Sequence, residues 1–156
     1  MLLLRVLTLA LTASILVPSG AHLFELPGKI DLSREAYFAV QGIYAGWALF
    51  GIPIVAAILA NGALYVTLRR REPEAALWGF VSAALITASL AVFFIWIFPA
   101  NQATGNWTTI PDNWEVLRRH WEYAHAANAL IVFAAFLATV MATVSPEHHQ
   151  SSSSGL

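Results

Sequence analysis

Long apolar stretches alternate with short polar ones along the whole chain. Asp, Glu, Lys and Arg are absent from residues 6–24, 36–68, 75–111 and 123–146. A helix of about 20 apolar residues crosses a hydrocarbon core of roughly 30 Å, so each window can hold one span. The expected spans are about 2–26, 38–68, 74–98 and 113–144. Pro18, followed by Ser19 and Gly20, interrupts the first and predicts a kink just before His22. Pro27 and Gly28 end it, and Ser33 starts the next helix. Gly51 and Pro53 predict a bend in the second span. Arg69, Arg70 and Arg71 close it with cations where the helix dipole favours them, ahead of Pro73. Residues 99–114 read as a loop, with Gly105 and Pro111. Asp112 or Asn113 is a suitable cap for the fourth span, and Pro146 follows its end. The predicted fold is all-α: one integral membrane domain over 1–146, an up-down four-helix bundle.

Composition agrees. The chain is 58% hydrophobic and 11% charged, against about 25% charged in soluble domains. Its net charge of −1 gives no reason to expect a nucleic-acid partner. No cysteine is present, which removes disulfides and thiolate chemistry. Residues 1–21 also have the layout of a secretory signal, with Arg5, an apolar run and Ser19-Gly20-Ala21; they are read as the first span. Residues 147–156 form a tail in which 151–156 resembles an appended linker, and His148 and His149 receive no role.

Orientation follows the Lys/Arg bias. Arg5 and Arg69 to Arg71 lie at one end; Lys29, Arg34, Arg118 and Arg119 lie at the other, a tie of four against four. The compact arginine triplet places both termini in the cytoplasm. The expected location is a bacterial inner membrane, multi-pass.

One constellation carries candidate chemistry. His22 and Glu25 close the first span, and Glu122 and His125 open the fourth. Each pair is spaced i, i+3 and shares a helix face. In an up-down bundle these faces meet at the same end, with His120 nearby. Imidazole and carboxylate suit Fe, Cu or Zn, so His22, Glu25, Glu122 and His125 are candidate metal ligands. Glu-x-x-His also occurs in di-iron bundles, but the second and third spans lack the carboxylates such a cage needs. A haem held by His22 and His125 is a narrower alternative, and a site without cofactor is another. The bland alternative is that the carboxylates pair with Lys29, Arg118 or Arg119 near the interface. Gln41, Tyr44 and Trp47 lie at the same end, as site lining or as interfacial belt; Trp107, Trp114 and Trp121 read as belt first and as lining for a flat ligand second. Asn128, one turn below His125, is a helix-packing or ligand-contacting residue. Asn61 reads as packing. Asn101, Gln102 and Asn106 read as turn formers.

The stretch Pro99, Asn101, Trp107, Pro111, Asp112, Asn113, Trp114, Arg118, Arg119, His120, Trp121, Glu122, His125 resembles the anthrone oxygenase-like family of small four-helix membrane proteins, most of which have no known function. The resemblance is strongest over 114–125. It departs where the family pattern has an Arg three residues after the motif histidine; here Asn128 stands. The resemblance implies four helices and an oxygenase or oxidoreductase activity on a polycyclic or quinone-like substrate, in some members without a conventional cofactor. It raises the weight on Glu122 and His125.

Three functions are therefore weighed. As an enzyme, the protein uses His22 and His125 as ligands or bases, Glu25 and Glu122 as ligands or acid/base partners, and Arg118 to stabilise an anionic oxygen; Tyr44, Trp121 and Asn128 contact the bound molecule. As a non-catalytic subunit or lipid- or quinone-binding protein, it uses the small residues Gly42, Ala45, Gly46, Ala56, Ala57 and Ala60 for close helix approach, including in a homo-oligomer. A transporter ranks last, because no repeat pair is visible.

Overall fold

The computed structural model describes residues 1–144; Pro146 and the tail call on 147–156 lie outside the described residues. The described chain is helical throughout its ordered elements: α1 (Leu2–Lys29), α2 (Arg34–Gln41), α3 (Gly51–Leu68), α4 (Pro73–Val92), α5 (Phe98–Ala103) and α6 (Trp114–Val144). Four helical stretches are long and apolar enough to cross a membrane: Leu2–Lys29, Trp47–Leu68, Pro73–Ala103 and Trp114–Val144. Their outward residues are large and apolar, including Leu3, Phe24, Ile52, Leu59, Phe94 and Leu130. A water-soluble bundle would put polar residues there; a lipid-facing one puts these.

The helices form an antiparallel ring in which α1 and α4 each pack against α3 and α6. At one end Arg5 pairs with Glu72 and donates to the Thr143 carbonyl at 3.3 Å, tying the start of α1 to the α3–α4 turn and the end of α6. At the other end the close of α1 meets the opening of α6. In lipid there is little hydrophobic force between helices, so small residues that allow close backbone contact hold the seams. The buried stripe of α6 is Ala129, Val132, Ala135, Thr139 and Ala142. Gly79 of α4 faces α3 so closely that an added Cβ would lie 3.2 Å from the Asn61 carbonyl.

Midway along the bundle each span contributes one buried polar side chain to a single network. Asn61 donates to Thr12 at 3.1 Å and accepts from Thr139 at 3.0 Å, and Ser82 meets Thr139 at 2.8 Å. All four are fully buried. Asn61 is therefore packing glue, as its sequence context suggests.

Three boundaries differ from expectation. The first span does not stop at Pro27 but runs to Lys29, with Ile30 N–H still bonded to the Leu26 carbonyl at 3.0 Å. The second span is not continuous from 38: α2 is followed by a 3₁₀ turn at Gly42–Tyr44, then Gly46 at φ +84°, then a second 3₁₀ turn at Trp47–Phe50. The reversal falls at Gly46 because a left-handed φ costs a side-chain-bearing residue about 1–2 kcal/mol. Pro53 causes no break, since it sits in the first turn of α3, where its missing N–H is not needed. The third span passes Pro99 and stays helical to Ala103. A π-helical turn at Phe93–Ile97 precedes it, with Phe98 N–H bonded to the Phe93 carbonyl; the wider turn accommodates a proline that would otherwise clash with the carbonyl four residues back.

Candidate functional site

Helical spacing builds the site from two faces. On α1, His22, Glu25 and Lys29 follow at i, i+3, i+7. On α6, Arg118, Trp121, Glu122, His125 and Asn128 do the same. The non-spanning segment after α1 adds Tyr37, Gln41 and Tyr44, and the start of the second span adds Trp47.

Lys29 lies at the centre. It is 6% exposed, and its ammonium makes a 2.9 Å ion pair with Glu122, which is fully buried. Lys29 also donates to the Tyr44 hydroxyl at 2.7 Å, and lies 4.0 Å from the Glu25 carboxylate. Tyr44 in turn donates to Glu25 through a short hydrogen bond. Tyr37, fully buried, donates to the same Glu122 oxygen at 3.0 Å. The ammonium sits 4.5 Å from the Tyr44 ring centre and 4.8 Å from that of Trp121, where aromatic faces attract cations. Burial, and then the neighbouring carboxylates, push the Tyr37 and Tyr44 phenols well above their ordinary pKa, so both remain neutral hydrogen-bond groups.

Beneath this cluster the His22 and His125 rings stack at 3.8 Å, with Trp121 edge-on to His125 at 4.2 Å and Tyr44 at 4.7 Å from His22. Trp47 closes the far side of His22 at 5.4 Å. Arg118, 8% exposed, donates to the Leu32 carbonyl at 2.8 Å and lies over the Trp114 ring at 4.7 Å.

Several buried polar atoms here meet no hydrogen-bond partner: His22 Nδ1, Glu122 Oε2, Asn128 Oδ1, Arg118 Nε and both amide atoms of Gln41. Buried polar groups are nearly always satisfied, and each exception calls for an explanation. Among the described residues all of these exceptions but Arg5 Nε, at the opposite end, share this end of the bundle.

The structure thus brings His22, Glu25, Glu122, His125, Arg118, Tyr44, Trp121 and Asn128 to one end of the bundle. Among the described residues no three His, Asp or Glu side chains are arranged to hold a metal ion. Glu122 and Glu25 are engaged as partners of Lys29, so an ion would have to displace a tethered ammonium. Stacked face to face, His22 and His125 leave no space between them for a porphyrin plane. His120 faces outward, exposed. The residue that sequence reasoning left among the bland pairings, Lys29, is the hub; its signal was the seven-residue spacing from His22 and four-residue spacing from Glu25.

The tryptophans are also more than a belt. Trp107 is 6% exposed and Trp121 3%. Both indoles donate to Asn101 Oδ1, at 3.2 and 2.8 Å, so Asn101 is a clamp rather than a turn former. The loop carrying Trp107 is left-handed at three consecutive residues, Gly105 (φ +55°), Asn106 (+56°) and Trp107 (+65°). A bulky residue there is a genuine outlier, held because the indole packs on Tyr37 at 5.2 Å and Trp121 at 5.7 Å.

Comparison with known proteins adds no neighbour: no family model, curated protein or solved structure matches this chain.

Proposed function

We propose that this protein binds an apolar, oxygen-bearing molecule of quinone or polycyclic phenol type at the α1–α6 end of the bundle and performs acid/base chemistry on it, as a small membrane oxidoreductase. One observation carries the reading: His22 Nδ1, Glu122 Oε2 and Asn128 Oδ1 are buried, unpartnered and gathered around aromatic walls. A flat molecule with hydroxyl groups at its rim supplies the donors these atoms lack, and the rings of Trp47, Trp121 and Tyr44 supply apolar contact. Glu122 Oε2 and His22 Nδ1 are the acceptors for a proton leaving an O–H or activated C–H group. Lys29 and Arg118 hold positive charge where an oxyanion then develops. His125 supports His22 by stacking and, with Asn128, lines the deeper side.

Both termini are placed in the cytoplasm, which sets the site toward the opposite face of the membrane. The support is the compact triplet Arg69, Arg70 and Arg71, all exposed at the terminal end; at the site end Arg34 and Arg119 are exposed, and Lys29 and Arg118 are buried.

The test is an anaerobic titration of detergent-purified protein with 1,4-dihydroxynaphthalene, the reduced form of a quinone, read by tryptophan fluorescence. Saturable quenching is expected. A lost hydrogen bond to a charged group costs about 1.5–3 kcal/mol, so Glu122→Gln and His22→Ala should each weaken binding by roughly 10- to 100-fold. Wild-type affinity in both variants would overturn the reading.

A further inference from the structure

We propose that Glu122, Lys29, Tyr44 and Glu25 form a relay that carries a proton from the buried site to the edge of the bundle. The idea rests on the acid/base reading above for the origin of the proton, but its geometry stands alone. Glu122 is fully buried and has no direct route to water. One of its oxygens touches Lys29 at 2.9 Å, Lys29 donates to Tyr44 at 2.7 Å, and Tyr44 donates to Glu25. Glu25 has 32% of its side chain exposed, a turn from the end of α1, and Tyr44 beside it is half-buried. The two outer links run in one direction, ammonium to phenol and phenol to carboxylate, while the inner one joins Lys29 to Glu122 as an ion pair.

The transfer balances without a co-reactant. Lys29 gives a proton to the Tyr44 oxygen as Tyr44 gives its own to Glu25. The chain then holds a neutral amine, an unchanged phenol and a protonated Glu25. A proton accepted at Glu122 Oε2 restores the ammonium when the carboxyl group rotates to present its protonated oxygen to the Lys29 amine, which otherwise meets Oε1, and Glu25 releases its proton to solvent. The other ionisable groups at the cluster are Tyr37 on Glu122, Arg118 on the same α6 face, and the stacked His22 and His125 beneath. None of them links Glu122 to an exposed carboxylate. Tyr37 ends as a donor to Glu122, and Arg118 is committed to the Leu32 carbonyl.

The relay is tested on the full chain in detergent, without ligand, by an acid jump followed by time-resolved infrared spectroscopy. The Glu122 carboxyl band is assigned by difference against Glu122→Gln. Removing a positioned proton carrier typically costs about 10²-fold or more in rate. Protonation of Glu122 should therefore slow by about 10²-fold in Tyr44→Phe, which keeps the ring, and in Glu25→Gln, with partial recovery in Glu25→Asp. Unchanged rates in either variant, or no Glu122 band in the wild type, would overturn the relay. The same samples are titrated with 1,4-dihydroxynaphthalene. Slowed protonation with binding retained supports relay and site together, whereas slowed protonation in a protein that never binds the diol keeps the relay and sinks the proposed function.

Discussion

Two buried polar networks occupy this bundle, and they are built on opposite plans. In the middle, Thr12, Asn61, Ser82 and Thr139 close on one another, and the two threonines have further acceptors in their own helices at Thr8 and Ala135. No atom of that network is left over. At the α1–α6 end, a larger set of charged and aromatic side chains surrounds Lys29, and His22, Glu122, Asn128 and Gln41 each keep a polar atom without a partner. Polar groups in a membrane protein are costly, and the middle network shows that this chain can satisfy them fully when their task is to join helices. Leaving several unsatisfied together is the mark of a place kept for something else.

The sharpest way to break this contrast is Lys29→Met. It leaves Glu122 buried without a counter-charge, which typically costs about 3–5 kcal/mol. A large drop in thermal midpoint in detergent is expected, with most of the loss recovered by adding Glu122→Gln. Failure of the second change to recover stability would mean that Lys29 acts through packing. Next in size is Asn101→Ala. It strands the indole N–H groups of Trp107 and Trp121, at about 1–3 kcal/mol, and should alter tryptophan emission as well as stability; an unaltered spectrum would count against the clamp. The smallest effect should come from Asn61→Leu in the middle network. Helix-to-helix hydrogen bonds in membranes average about 0.6 kcal/mol, and Thr12 and Thr139 retain their backbone acceptors. Binding of the diol should be untouched. A loss of binding there would erase the distinction between glue and site.

Much of the fold was legible because lipid imposes a simple rule: charge-free windows become spans, and short loops between them alternate direction. The meeting of His22 and Glu25 with Glu122 and His125 followed from i, i+3 spacing and antiparallel order alone. What spacing could not convey was how the donors are used. Lys29 stands just past Pro27 and Gly28, a pair that normally ends a helix, so its continued register on the His22 face was hidden. Tyr37 and Gln41 lie in a stretch without charge, indistinguishable by hydropathy from the start of a span, until Gly46 reverses the chain. Asn101 and Trp107 look like loop residues because their bond joins two elements that are distant in sequence. In each case the missing information was a tertiary contact, and the local signal pointed to an ordinary interfacial role.

Gly46 has one more consequence. The piece that carries Tyr37, Gln41 and Tyr44 is not part of any spanning helix, and its link to α3 turns at the one left-handed glycine in that connection. The four spans are joined by their middle network, whereas this wall is tied to them by side-chain contacts to Glu122, Glu25 and Lys29. Stability in such a molecule is graded rather than uniform. Backbone amides of α2 should exchange with solvent deuterium sooner than those of α3 or α6.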